Sequence, residues 1–348
     1  MKFPPKVPLA VFCLFAMAFN TGCFFKTESR REVYASSSSD TATQQPPSPN
    51  PAPWMFVVVG DSRGFDNGVN TQILGEMVQD IIGLNPDIVL FNGDIVNGSS
   101  NSKTFVSQLM TWRNTVQPLY DAGIKVYPVR GNHEDYDVSA WHKVFSGKYA
   151  VPSNGPDDEI GLTFAVEHKN ALFLGFDHYV SIHRINQIWM DRQLLKKSVP
   201  HLFTYAHEPA FSALHSDCMD DYSLSRDLFW ETMLAGGGRV FFAGHDHFYD
   251  HIRIDNKDGN TNNDGHQVIC GTAGAPLYNE PSYNGDNSTY TVQPQKHIAA
   301  FGYVIVNVNG LSVTISWIER IKPDAAKPDA GTVPAIYRIK DVWSYTLN

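Results

Sequence analysis

A chain of 348 residues with 36 acidic and 27 basic side chains, formal net charge −9, has no basic excess with which to grip a nucleic-acid backbone, so no nucleic-acid-binding surface is expected. Its length and 43% hydrophobic content suffice for a sizeable core. One domain of about 270 residues with terminal extensions fits better than two equal domains, and repeats are not evident. An acidic protein can still bind phosphate through cations.

The amino terminus reads as a targeting segment. Lys2 and Lys6 precede the apolar stretch Leu9 to Phe19, which is too short to span a bilayer comfortably and has the make-up of a secretory signal. Thr21-Gly22-Cys23 then resembles a bacterial lipoprotein cleavage site, although Asn20 stands where such signals carry an aliphatic residue. Lipidation at Cys23, simple secretion and an uncleaved anchor are three open outcomes. The first, with attachment of an exported chain to a membrane of the cell envelope, is the expected one. The Ser-, Thr-, Gln- and Pro-rich stretch that follows cannot bury enough apolar surface to fold and reads as a tether. The expected organisation is a signal and lipoprotein cysteine over 1–23, a tether over 24–53, the main domain over 54–320, and a linker with a strand-like extension over 321–348. Beyond the targeting segment, Cys218 and Cys270 are open either to a disulfide or to two separate thiols.

Short apolar runs predict strands over Phe56 to Val59, Ile88 to Phe91 and Val126 to Val129. Helical apolar spacing fills the gaps, over Thr71 to Leu84 (stopped by Pro86) and Phe105 to Asp121. A hairpin follows, Leu162 to His168 and Ala171 to Asp177, turning at Lys169-Asn170. Then come a helix over Gln187 to Lys197 and a strand over His201 to Ala206. Further strands cover Arg239 to Gly244, His251 to Asp255, Gln267 to Gly271, Tyr303 to Asn307 and Ser312 to Ile318. The fold class is α/β in layers. Between strands, Asp255 to Gly265 lacks the twelfth-position glutamate of an EF-hand loop and reads as a solvated hairpin tip. Residues 279 to 296, with Tyr283 and Tyr290, are expected to form a loop near the site, and 322 to 331 a linker.

The chemistry lies where strands end. Gly60-Asp61, Gly93-Asp94, Gly131-Asn132-His133-Glu134, His207 and Gly244-His245-Asp246-His247 each follow an apolar run. In layered α/β proteins such strand ends converge on one crevice. Carboxylates, an amide and imidazoles gathered there make sense if cations neutralise them, and a donor set of oxygen and nitrogen without thiolate suits Zn, Mn or Fe.

That ordered series resembles the calcineurin-like metallophosphoesterase superfamily over residues 55 to 320. His207-Glu208-Pro209 and the run His245 to Tyr249 are more similar to its purple acid phosphatase branch. The resemblance implies a four-layer sandwich of two mixed β-sheets flanked by helices. It also implies two divalent metals clamping a phosphoryl group and generating hydroxide near neutral pH. On that pattern Asp94 bridges the metals, Asp61 and His247 hold one, and Asn132, His207 and His245 hold the other. His133 is the outer imidazole that stabilises charge or protonates the leaving oxygen, and Glu134 orients it.

Two residues depart from the pattern. Arg63 stands where the first motif usually has a histidine ligand, and arginine offers donors only. Asn97 replaces the tyrosine ligand of purple acid phosphatases. Arg63 is open to two readings, a catalytic fork for substrate phosphate or a structural salt bridge to a neighbouring carboxylate such as Asp66 or Glu134. Tyr249 and His251 are open to cleft lining or packing, while His142, His183 and His215 default to surface or rim. The function implied is a metal-dependent phosphoric ester hydrolase, with phosphomonoesters the expected substrates. The alternatives are a phosphodiesterase or nucleotidase of the same fold, or a non-catalytic binding domain with a degenerate metal site.

Overall fold

The computed structural model describes residues 51–65, 67–285, 289–322 and 334–347. The signal, Cys23, most of the tether and most of the predicted linker lie outside the described residues, as does Asp66. Strands β1 (Trp54–Val59), β2 (Ile88–Phe91) and β3 (Lys125–Pro128) pair in parallel, and α1 (Thr71–Leu84) and α2 (Ser102–Asp121) connect them. An asparagine side chain starts each helix: Asn70 accepts the Ile73 N–H and Asn101 the Thr104 N–H. α1 ends at Asn85, left-handed at φ 54°, just before Pro86. A short α3 (Val138–Val144) follows.

The second sheet contains β4 (Phe164–His168), β5 (Ala171–Gly175), β6 (His201–Tyr205), β7 (Gly238–Ala243), β8 (Tyr249–Asp255), β9 (Gly265–Cys270) and β10 (Thr291–Ile298). Helices α4 (Gln187–Lys196) and α5 (Ser223–Ala235) cover it. The spatial order is β10-β8-β9-β7-β6-β5-β4, with β5, β6, β7 and β9 mutually parallel. The last strands, β11 (Gly302–Asn309), β12 (Ser312–Ile321) and β13 (Ile336–Thr346), return to the first sheet, whose order is β13-β12-β11-β1-β2-β3.

Alternation along the strands builds four layers. On β1, Val57 and Val59 face a core with α1 and α2, while Phe56 and Val58 face the second sheet. On β7, Val240 and Phe242 point into that shared core, and Phe241 and Ala243 pack with Phe229 and Trp230 of α5. Strands buried on both faces explain why these segments read as unbroken apolar runs rather than alternating ones.

Several expectations change. The strand-like extension expected after 320 is strand β13, and it is part of the first sheet, paired with β12 from Ser312–Thr346 to Ile321–Ile336. The loop expected over 279–296 contains β10, an edge strand with a bulge between Pro294 and Lys296; proline and a polar sequence hid it. Tyr290 packs on Phe211, and Tyr283 bonds Asp250 of β8, so neither lines the strand-end crevice. Tyr249 stacks on Trp317 and His251 on Trp343, the packing outcome. Cys218 and Cys270 are separate buried thiols.

Candidate metal centre

The parallel strands of both sheets end at one edge, and the loops leaving them are stitched together across the gap. Asp61 donates its N–H to Gly93 O (3.0 Å), Asn92 Nδ2 donates to Ala243 O (2.9 Å), and Ala273 and Ala275 donate to Gly60 O and Asp61 O. Asp61, Asp94 and His245 have φ of 58°, 47° and 71°. That left-handed turn costs a non-glycine residue on the order of 1 kcal/mol, and such residues cluster at functional sites. Their neighbours are glycines for a steric reason. A Cβ on Gly131 would run into the Asp94 carboxylate, and one on Gly244 into that of Asp61.

Asp94, buried, presents its oxygens to two different groups. Oδ1 lies 3.3 Å from His207 Nε2, which is itself 3.1 Å from Asn132 Oδ1 and 3.2 Å from His245 Nδ1. Oδ2 lies 3.3 Å from Arg63 Nε and 3.8 Å from His133 Nε2, and Asp61, Asp94 and His247 bring ligand atoms within 4.8 Å of one another. The histidine tautomers suit cation binding. His207 Nδ1–H donates to Asn92 O (2.7 Å) and His247 Nδ1–H to Pro276 O (2.8 Å), leaving each Nε2 lone pair turned into the cluster. Burial lowers the His207 pKa to about 4; burial and the Arg63 charge lower that of His247 to about 3. Both rings are therefore neutral acceptors at neutral pH. Burial, and then the Asp94 charge, push the Asp61 carboxyl well above the usual range. Acceptor atoms this close, two of them neutral imidazole lone pairs beside a carboxylate burdened by burial, fit divalent cations.

His133 stands at the rim with Nε2 3.8 Å from Asp94 Oδ2 and its Nδ1–H donating to Asn97 O (2.6 Å). Glu134 does not orient it. The buried Glu134 carboxylate instead accepts the N–H groups of Gly131 (2.7 Å) and Val96 (3.0 Å), fastening the loop after β3 to the loop after β2. Its motif neighbour faces away because a one-turn 3-10 helix over Asn132–Glu134 separates the two side chains. Arg63 forms its salt bridge with Asp94, Nε lying 3.3 Å from Oδ2, and its Nη2 is 3.4 Å from His247 Nε2; Glu134 is turned to the backbone instead, and Asp66 lies outside the described residues. Asn97 turns its side chain to Phe65 O (2.9 Å), away from the acceptors.

Asp217 and Tyr278, not singled out from sequence, complete the surroundings with His215 and His183, which stand at the rim as expected. Asp217 holds His245 Nε2 at 3.4 Å, and Tyr278 stacks on His247 at 4.4 Å. His215 is bonded to Asp246 with its ring 5.0 Å from that of His245, and His183 Nδ1 lies 2.9 Å from the buried Glu208 carboxylate. Tyr278 was accessible to the same reasoning as the motifs, since the segment after β9 is another parallel strand end. Asp217 and His215 lie on a long loop with no periodic signal.

The fold has solved counterparts. A purple acid phosphatase isolated from yellow lupin (Lupinus luteus) seeds superposes with TM-score 0.58 at 14% identity over 86% of this chain, which spans 54% of that protein's length. PhoD gives TM-score 0.59 at 12% identity, covering 85% of this chain and 70% of PhoD. A dimetal phosphatase from Danio rerio gives 0.50 at 12% identity, covering 76% and 95%. No curated protein matches in sequence. The sequence profile described as calcineurin-like phosphoesterase matches residues 55–249, and the chain belongs to that family of dinuclear-metal-dependent phosphoester hydrolases.

Proposed function

We propose that this chain is an exported hydrolase of phosphomonoesters, of the purple acid phosphatase-like kind, using divalent cations of the Mn, Fe or Zn type. The observation that carries this reading is Asp94, whose carboxylate belongs to two groups of acceptors, one with His207 and one with Asp61 and His247. When bound, paired divalent cations polarise phosphoryl oxygens and make water a better nucleophile. Asn132, His207 and His245 would hold one cation with Asp94, and Asp61 and His247 the other. His133 keeps Nδ1–H on Asn97 O, which leaves Nε2 at the rim to deliver a proton to the leaving alkoxide. Glu134 holds the two loops at fixed spacing. Arg63 supplies planar donors beside Asp94 for phosphate oxygens.

Export and membrane attachment rest on Lys2 to Phe19 and Cys23 in the sequence. The catalytic proposal is tested by loading purified protein with Mn, Fe(II) or Zn and assaying a mixed panel of phosphate monoesters and diesters. Faster turnover of monoesters supports it. Hydrolysis of diesters or nucleotides alone moves the reading to the alternative, and metal binding without any hydrolysis leaves a binding domain.

A further inference from the structure

Arg63 stands two residues after Asp61 on a loop whose position is fixed from both sides. Its backbone N–H donates to Asp94 O (3.2 Å), and Arg63 forms an isolated bridge with Val69. The side chain therefore has a short, defined path, and it leads between two ligands. Nε is 3.3 Å from Asp94 Oδ2, Nη2 is 3.4 Å from His247 Nε2, and His247 Nε2 is in turn 3.5 Å from Asp61 Oδ1. The guanidinium thus meets the lone pair and the carboxylate oxygen that the Asp61–His247 cation needs. Arginine cannot ligate, since it has donors only, and it cannot shed its charge to make room. Around the other group, Asp94 Oδ1 with Asn132, His207 and His245, no lysine or arginine contacts the acceptors among the described residues.

We infer that Arg63 is a built-in replacement for one of the two cations: this chain holds one divalent ion tightly, on Asp94, Asn132, His207 and His245, and Arg63 supplies the second positive charge on the Asp61–His247 side. The inference rests on the metal-centre reading above and revises its stoichiometry. The arrangement keeps the two buried carboxylates neutralised. It also gives the phosphoryl group one ion and one planar donor fork to bridge, so substrate phosphate contacts Arg63 directly. A guanidinium and a divalent cation sharing this gap would repel each other at a few ångströms in a buried setting, so the second ion binds only when Arg63 swings out.

The test is metal stoichiometry, by elemental analysis after dialysis and by calorimetric titration with Mn and with Zn, on full-length wild type, Arg63→His and Arg63→Ala. Wild type should retain one ion per chain and show a second only at much higher free metal. Arg63→His, which removes the charge and adds a ligand, should retain two. Arg63→Ala, which only removes the charge, should bind the second ion at least about tenfold more tightly than wild type, by the usual effect of relieving a like-charge contact. The alanine variant keeps the test decisive if the histidine variant fails to fold. Two tightly held ions in wild type, or a single ion in both variants, overturns the inference while leaving the metal centre intact. No ion in wild type or variants overturns the metal-centre reading itself.

Discussion

At the scale of single residues, His133 and Glu134 are adjacent in sequence and serve different ends. The His133 ring stands at the rim, Nε2 3.8 Å from Asp94 Oδ2, and its contact with Asp94 Oδ1 is through the backbone N–H, which alanine keeps, so His133→Ala should keep its metal content while turnover falls about 10²–10⁴-fold, the span for proton-transfer groups. Parallel loss of metal and rate in elemental analysis and kinetics would move His133 among the ligands. Glu134 holds two backbone N–H groups in a buried place. Glu134→Gln exchanges one accepting oxygen for a donor, and denaturant unfolding should show about 1–3 kcal/mol lost, the cost of leaving a buried N–H unpaired. An unchanged midpoint contradicts that role. The motif residues were legible because each follows an apolar run, and Asp61, Asp94, Asn132, His207, His245 and His247 do meet at one edge of the sheets. The Glu134–His133 pairing was not legible, because the local helical turn that separates their side chains leaves no mark in a four-residue motif.

At the scale of elements, the strand-end turns set the geometry of the centre. Gly131→Ala would push a methyl group into the Asp94 carboxylate. Metal affinity should fall by the roughly 10–100-fold that follows disturbance of a ligand's support, with the fold kept. Calorimetric titration checks this, and wild-type affinity would refute the steric account. The edge strand β13 makes a second case. Trp343 stacks on His251 (4.3 Å) and His266 (4.4 Å), so Trp343→Ala should cost about 2 kcal/mol, below the figure for a fully buried tryptophan. Elements with apolar periodicity, such as α1 and β1 to β3, could be read from sequence almost to their ends. α5 could not, because Leu224 and Leu228 are exposed and blur its apolar face, and β10 carries the polar pattern of an edge strand; β13 was legible as strand-like, but not its place in the first sheet.

At the scale of the whole molecule, targeting and chemistry separate along the chain: the expected anchor precedes residue 54, and the candidate centre draws on loops from residue 60 to residue 278. Cys23→Ser should therefore release an active protein from the membrane fraction, and continued membrane association in detergent-free fractionation would mean the amino-terminal segment is itself retained. The pooling of strand ends from both sheets also means that one residue, Asp94, couples everything the account describes. The measurement that bears most directly on it is the metal content of purified Asp94→Asn beside wild type, with phosphomonoester hydrolysis followed on the same samples. The account predicts that metal content and hydrolysis fall together in a variant that stays folded. Full metal content with undiminished hydrolysis in Asp94→Asn would contradict it.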